Sequence, residues 1–473
     1  MNRMPKVVRD FGRVLSANGL VAVTSMISVL LLPKIISTEQ YALWQLFLFI
    51  TSYSLFLQLG LADGAYLRYG GRTRKDLAAQ GIESQALLLV GGLTGLISIG
   101  LFVVLMMSPS PDRLIVLVAA LLYAIIVNLQ QLLMLVLQSI GEFRAFQRIS
   151  VLDRMVFISL VIVFLLLGSR TFLAIVIAEI VAKLASTIYA TWDWMRLREV
   201  HPRSSVGETL REMWQNIKAG SQITIANTGN MLIIGVARFS VERVWGLLVF
   251  GGFSLALNLV SFFMVFINAA GLTLFPTLKK SSEHVHRRTL EVVLPVLSMV
   301  TAGILVFAHP IFLVLHAWLP EYGSSLEVLL LLLPIIIFES RMGLILSPLM
   351  KARRMETAVL LVNLPALATS IVLTVVFSLV IPSTQLVAAS IVVSLGIRAL
   401  LAEGALRNRI GLPKLNTRAT LVEVVLLLTY YATTVLVGGW ASAGLYLAVL
   451  AFCLFVQRRP LMLGFRAIRR RLG

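Results

Sequence analysis

The sequence predicts an all-α integral membrane protein of about fourteen transmembrane helices, with both termini in the cytoplasm. Three observations carry this. Of 473 residues, 58% are hydrophobic and 13% charged, whereas soluble domains are about 45–50% apolar and about a quarter charged; mean hydropathy is +0.92. Apolar runs near the ~20 residues that cross a bilayer recur from end to end. Basic residues bunch in every second gap between the runs. No polar stretch is long enough to fold as a soluble domain, and the longest, about 195–218, is a connector.

In order, the runs lie at roughly 14–36, 41–63, 84–107, 114–138, 151–167, 172–194, 219–237, 246–276, 290–315, 325–349, 357–380, 386–405, 420–437 and 441–456. The fifth and the last two are short, and twelve is the alternative count. The first follows basic residues, has no small-residue cleavage site and is succeeded by many similar runs, so it reads as a span and not a removable signal. Net charge is +19, from 41 Lys and Arg against 22 Asp and Glu. In a soluble chain that excess would suggest nucleic acid; here it sorts by side. Five basic residues (Lys34, Arg113, Arg170, Arg238, Arg243) fall in one set of loops and four (Arg154, Lys183, Arg341, Arg398) inside spans, which leaves 32 of the 41 in the termini and the other loops. The positive-inside rule places that side in the cytoplasm. One cysteine, Cys453, excludes an intrachain disulfide.

Two segments on the cytoplasmic side have helical apolar spacing: Val206, Leu210, Met213, Trp214 and Ile217, with Ser205 and Glu208 as a capping box, and Leu461, Phe465, Ile468 and Leu472 among arginines. Both are expected to lie on the membrane against lipid headgroups. ISTEQYALWQLFLF (36–49) and FSVERVWGLLVFGG (239–252) share Ser-x-Glu at an offset of 203, each in an outer loop. Equivalents on one face suggest two parallel six-span halves. The organisation expected is an N-terminal lobe at 1–194, an amphipathic connector at 195–218, a C-terminal lobe at 219–405, and two additional helices with a basic tail at 406–473.

The chain has no G-x-x-x-x-G-K-[ST], no H-E-x-x-H, no cysteine cluster and no G-x-S-x-G, so no nucleotide, metal or acyl-transfer site is expected, and no cofactor. His284 and His286 on a basic loop are weak metal candidates. Outer loops of about four to ten residues leave no room for an acceptor-binding catalytic domain. The chain does not read as an enzyme.

Intramembrane charges are costly and are functional candidates by default. Lys183 lies about halfway through its span, with Glu179 one turn away, and the two are expected to neutralise each other as an i,i+4 pair. Glu339 and Arg341 point about 200° apart on a helix, so each must seek a different partner. Asp153 and Arg154 sit just inside the fifth span, where snorkelling to the interface is expected, as it is for Arg398. The cavity cations proposed on depth and charge are Lys183, Arg341, Arg154 and Arg398. Glu179, Glu339 and Asp63 are the candidates for ion coupling, with Asp63 near an interface. Asn128, Gln131, Asn227, Asn230 and Asn258 are the polar cavity candidates, beside Gln130, Gln138, Asn268 and Asn363. Such amides serve interhelical hydrogen bonding or a sugar-bearing headgroup. Pro295, Pro334 and Pro365 fall inside spans of the second half, and the first half has no counterpart. Gly60 and Gly64, like Gly91 and Gly95, form small-xxx-small faces suited to close packing.

Several segments resemble the polysaccharide-transporter family of lipid-linked oligosaccharide flippases: ISTEQYALW (36–44), LGLADGAYLR (59–68), GEFRAFQRISVLDR (141–154), LFPTLKK (274–280) and KARRMETAVLLVN (351–363). That family includes Wzx-type O-antigen flippases and belongs to the multidrug/oligosaccharidyl-lipid/polysaccharide exporter superfamily. The resemblance covers nearly the whole chain and rests on the order of degenerate motifs. It implies a two-lobed bundle alternating between inward-open and outward-open states, a cationic central cavity, and twelve core spans with two appended. The implied cargo is an undecaprenyl-diphosphate-linked oligosaccharide carried to the outer leaflet of the inner (cytoplasmic) membrane for lipopolysaccharide or exopolysaccharide synthesis. The implied partners are that lipid-linked substrate, membrane lipids, and polysaccharide polymerase and chain-length proteins, with no nucleic acid. The competing readings are an ion-coupled drug antiporter of the same superfamily and a membrane-bound polysaccharide polymerase.

Overall fold

The computed structural model describes residues 28–78, 80–107, 109–196, 205–279, 281–414 and 416–456, and every regular element among them is helical. Residues 14–27 of the first expected span, 197–204 of the connector and the amphipathic tail at 461–472 lie outside the described residues. Contacts divide the chain into two units, Met1–Thr228 and Gly229–Gly473.

The first unit contains α1 (28–35), α2 (Thr38–Ser52), a 3-10 turn (Ser54–Gln58), α3 (Leu61–Tyr69) and the short α4 (Arg74–Ala78). It continues with α5 (Ile82–Met106), α6 (Pro111–Ser139), α7 (Phe143–Leu166), α8 (Phe172–Arg196) and the start of α9 (Val206–Trp245). The second holds the rest of α9, α10 (Leu247–Lys279), α11 (Glu283–Arg288), α12 (Leu294–Ile304), α13 (Ala308–Trp318), α14 (Gly323–Leu332), α15 (Ile335–Ser340) and α16 (Ser347–Ala352). α17 (Glu356–Val375), α18 (Thr384–Arg409), α19 (Thr417–Leu436) and α20 (Gly439–Val456) complete it. Three π segments, Thr289–Val293, Arg341–Leu346 and Val376–Val380, interrupt this second set.

Among the described residues, nine helices are long and apolar enough to cross a membrane, or eleven if each of two bent pairs is one span. The chain is a multi-pass integral membrane protein. α5 shows why the helices suit lipid: Ile82, Gln85, Leu89, Leu93 and Ile97 form its buried stripe, while Ile99, Phe102 and Met106 are exposed. Without water, only helices or closed barrels satisfy every backbone group in such an environment.

Both bent pairs have a local cause. In the second half, Pro334 lacks an N–H and separates α14 from α15 across a 46° bend. The first half, which has no mid-span proline, bends more: α2 with its 3-10 turn meets α3 at 54°. There Leu59 (φ 53°) and Gly60 (φ 92°) adopt the left-handed conformation, which glycine takes at no steric cost.

The small-residue faces divide. A Cβ on Gly64 would lie 1.7 Å from the Asn216 carbonyl oxygen, and one on Gly220 would lie 2.1 Å from the Gly60 oxygen. α3 therefore meets the first half of α9 backbone against backbone, as expected for Gly60 and Gly64. Gly91 and Gly95 have nothing within 4 Å among the described residues, so the same spacing on α5 has no close partner among them. The pattern permits close approach but does not supply a partner.

Two further expectations change. The connector is not a separate surface helix, since it continues without a break into the next span as the 40-residue α9. Its capping box forms as read: the Ser205 N–H donates to Glu208 Oε2 (2.9 Å) and the Glu208 N–H to Ser205 Oγ (3.3 Å). Those bonds hold the Glu208 carboxyl below its ordinary range. The two Ser-x-Glu copies are not equivalent, because Ser37 caps α2 whereas Ser240 lies inside α9, which ends near Gly246 at φ 85°. The last two helices pack against α12 and α13 of the second unit. Glu423 and Tyr430 of α19 and Tyr446 of α20 are buried within the second unit.

Candidate functional site: buried charge networks

In the first unit, α7 packs along α8 and brings Asp153 to Lys183. The Lys183 Nζ donates to Asp153 Oδ2 at 2.9 Å. Arg154 lies 3.5 Å from Asp153 and 3.8 Å from Glu179. Gln130 donates to Ser186 Oγ at 2.5 Å, and Ser186 donates onward to Asp153. The expected Glu179–Lys183 pair is absent. Such an i,i+4 pair is worth about 0.2–0.5 kcal/mol on a helix surface, and each partner finds a closer or better-buried charge on the neighbouring helix. Nor does Asp153 snorkel. Asp153 is 5% exposed, and Arg154 keeps 25% of its side chain exposed.

The second unit holds a longer ladder. Arg341, 2% exposed, donates from Nη1 to both oxygens of Glu423 (2.6 and 2.5 Å) and from Nη2 to Glu403. Arg407 reaches the other oxygen of Glu403 at 3.4 Å. Arg398 pairs with Glu339 and is also 2% exposed, so it does not snorkel. Glu339 and Arg341 do take different partners, as their angular separation requires. A cavity between α12, α15, α18 and α19 has Arg341, Glu403 and Glu423 in its wall, beside Ser298 and Thr420. Nε of Arg341 and of Arg398 is buried without an acceptor among the described residues.

Each network balances: two cations against two carboxylates in the first unit, three against three in the second. All four cations expected to line a cavity are thus engaged by carboxylates. The reason is energetic, since a lone buried ion loses several kcal/mol of hydration that only a close counter-ion returns. Two participating carboxylates, Glu403 and Glu423, lie inside expected spans and were not among the coupling candidates. Counting four intramembrane cations against three named carboxylates signals that at least one is missing.

The other candidates are dispersed. Asp63 accepts from Thr224 Oγ1 at 2.7 Å. Asn128 is fully buried and donates to the Ser54 and Ala124 carbonyls, so it braces the turn before the first bend. Gln131, Asn230 and Asn258 are half-buried and Asn227 is exposed. His286 is buried and accepts from Arg353, while His284 is exposed, so the two do not converge.

At the end assigned to the cytoplasm, basic residues read as topology determinants also have acidic partners. Arg74 donates to Glu142 (2.6 and 2.5 Å) and to the carbonyl and carboxylate of Asp193 (2.8 and 2.7 Å), with its guanidinium 5.4 Å from the Trp194 ring centre. Burial works against the Arg74 charge, but these bonds outweigh it and its pKa is raised. Arg68 reaches Glu212, Gln215 and Asn216 on α9.

This geometry makes a prediction about Lys183. Lys183→Met leaves Asp153 short of a counter-charge and should lower membrane abundance. Adding Asp153→Asn should restore it more fully than adding Glu179→Gln, which leaves Asp153 only the longer 3.5 Å contact with Arg154. Immunoblots of membrane fractions read this, and equal rescue by both second changes would sink the pairing.

A multi-helix membrane fold with neutral charge networks in each of two compact units defines a class before it defines a protein. That class is a multi-pass helical membrane fold, which a solved lipid flippase and solved multidrug transporters share. The lipid II flippase MurJ in an inward closed conformation superposes with a TM-score of 0.62 over 95% of this chain and 99% of its own, at 12% identity. An inward-facing multidrug resistance MATE family transporter gives 0.60 over 84% and 94%, at 13% identity. A MOP superfamily transporter from Pyrococcus furiosus, described as having reversed binding-pocket polarity, gives 0.52 over 87% and 99%, at 15% identity. At such identities the likeness establishes the fold. No curated protein matches by sequence. The family is set by residues 7–282, which match the polysaccharide biosynthesis protein family. The chain belongs to that family, in agreement with the resemblance of its loop motifs.

Proposed function

We propose that this protein is a flippase that moves a lipid-linked oligosaccharide, on an undecaprenyl-diphosphate carrier, across the inner membrane for surface polysaccharide synthesis. The observation that carries the reading is the polysaccharide biosynthesis family match over 7–282 on a fold shared with a lipid flippase along 95% of the chain. The proposal keeps fourteen spans, cytoplasmic termini and alternating access between lobes at 1–194 and 219–405, joined by 195–218 and followed by 406–473. A diphosphate crossing hydrocarbon needs fixed cations to replace its hydration. Of the four proposed, Lys183 and Arg154 are better placed than Arg341 and Arg398, because their side chains keep 11% and 25% exposure against 2% and 3%. Arriving phosphate would compete with Asp153 and Glu179, and the released carboxylates could take up a cation. Export then draws on an ion gradient, with Glu179 and Asp153 ahead of Glu339 and Asp63. O-antigen, lipopolysaccharide and exopolysaccharide are the product classes this fits. The polymerase and chain-length proteins would act on the exported product, and the protein itself does no bond chemistry.

The buried carboxylates also favour a second reading, an ion-coupled drug antiporter. Deleting the gene separates the two. Loss of surface glycan with accumulation of its lipid-linked precursor inside supports the flippase. Unchanged glycan with increased susceptibility to cationic drugs would replace it with the antiporter.

A further inference from the structure

Pro334 leaves a specific backbone atom unserved. In an uninterrupted helix the Leu330 carbonyl would accept from the N–H of residue 334, which proline lacks. The hydrogen bonds confirm the gap: Leu333 N–H still reaches Leu329, but beyond the break Ile336 and Ile337 return to Leu333 and Pro334, one residue short of a full turn. Leu330 and Leu331 are 7% and 9% exposed, so their carbonyls have no access to water. A buried carbonyl left unpaired loses its hydration with nothing in return.

α19 supplies the missing donors. Tyr430 Oη donates to the Leu330 carbonyl at 2.7 Å, and Tyr431 Oη donates to the Leu331 carbonyl at 2.9 Å. Two turns earlier on the same face, Glu423 holds Arg341, the first residue of the π segment beyond the bend. One helix thus grips the other on both sides of its break, by hydroxyls above and a carboxylate below. Tyr446 repeats the device, its ring edge-on to Tyr430 at 5.5 Å and its hydroxyl on the Ala302 carbonyl at 3.0 Å, where α12 passes into a 3-10 turn (Leu305–Phe307).

We propose that α19 is a latch on a hinge at Pro334, with Tyr430, Tyr431 and Glu423 as positioning residues that set the bend of the helix carrying Glu339 and Arg341. Backbone bonds of an intact helix release only by unwinding. A phenol hydroxyl releases by a small movement of its own helix, so the bend can change as α19 shifts, with the adjoining π turn taking up the slack.

The test asks whether Tyr430 matters because of Pro334. Hydrogen–deuterium exchange of the full-length protein in lipid nanodiscs reads protection across residues 326–340. Tyr430→Phe should accelerate exchange there about tenfold, the equivalent of about 1.4 kcal/mol, and leave α7 and α8 unchanged. In a Pro334→Ala background, residue 334 regains its N–H and serves Leu330, so Tyr430→Phe should change exchange by less than about twofold. Equal effects in both backgrounds would reduce Tyr430 to packing and overturn the latch, as would no effect in either. If Tyr430→Phe alone is lost from the membrane, recovery with Pro334→Ala supports the proposal and failure to recover overturns it. The readout involves no cargo, so its failure leaves the flippase reading standing.

Discussion

Replacing Arg341 by methionine is expected to remove the protein from the membrane. The substitution leaves Glu423 with no cation and Glu403 with only Arg407, in a part of the second unit where Arg341 itself is 2% exposed. Breaking a buried ion pair on one side costs about 3–5 kcal/mol, a large share of the ~5–15 kcal/mol that holds a typical domain together. The compensating change identifies the cause. Arg341→Met with Glu423→Gln restores neutrality, since Glu403 keeps Arg407, and most of the lost abundance and thermal stability in detergent should return. Arg341→Lys should fall between, because a point charge replaces a fork that bonds two carboxylates at once. Cargo transport provides the contrast: if Arg341 binds substrate, the neutralised double variant will be abundant but inactive. Full instability of that double variant would show that the ladder is not held by charge balance.

How far the charge ladder was legible differs from residue to residue. Burial of Lys183 and Arg341 follows from hydropathy alone, that of Arg398 does not, and the different partners of Glu339 and Arg341 follow from 3.6 residues per turn. Their partners do not, because pairing depends on which helices face each other. Lys183 illustrates this, with Glu179 one turn away on its own helix and Asp153 at 2.9 Å on the next. Glu403 and Glu423 escaped for another reason: they lie in the last and first turns of their expected spans, where a carboxylate reads as interfacial. The helical windows themselves were legible because apolar runs and basic gaps alternate so regularly. What hydropathy hides is continuity, as in α9, where a polar amphipathic segment and an apolar one form a single helix. The bend at Leu59–Gly60 was hidden too. Proline announces a break by its chemistry, whereas glycine only permits one.

The contact between α3 and α9 gives the second large effect. Gly64→Ala puts a Cβ 1.7 Å from the Asn216 carbonyl oxygen and 2.5 Å from its carbon. Both atoms belong to backbone, so no rotamer change relieves the clash and the helices must part. Overpacking of this kind costs about 1–3 kcal/mol, and parting adds the polar bonds that cross the same seam. Those bonds are Asp63 with Thr224, Arg68 with Glu212 and Asn216, and Asn216 with Tyr69. Losing several together should bring the total to a level that costs the protein most of its abundance. Gly220→Ala should act in the same direction, since its Cβ would lie 2.1 Å from the Gly60 oxygen. Gly91→Ala and Gly95→Ala are the controls. They share the small-xxx-small spacing but meet nothing within 4 Å among the described residues, and alanine in a helix interior is favoured over glycine by roughly 0.5–1 kcal/mol. They should therefore leave stability unchanged or slightly raised. Thermal unfolding of the four variants in one detergent decides the matter. A Gly64→Ala protein as stable as Gly91→Ala would mean that α3 does not meet α9 backbone against backbone, and the hydrogen-bonded seam along α9 would have to be redrawn.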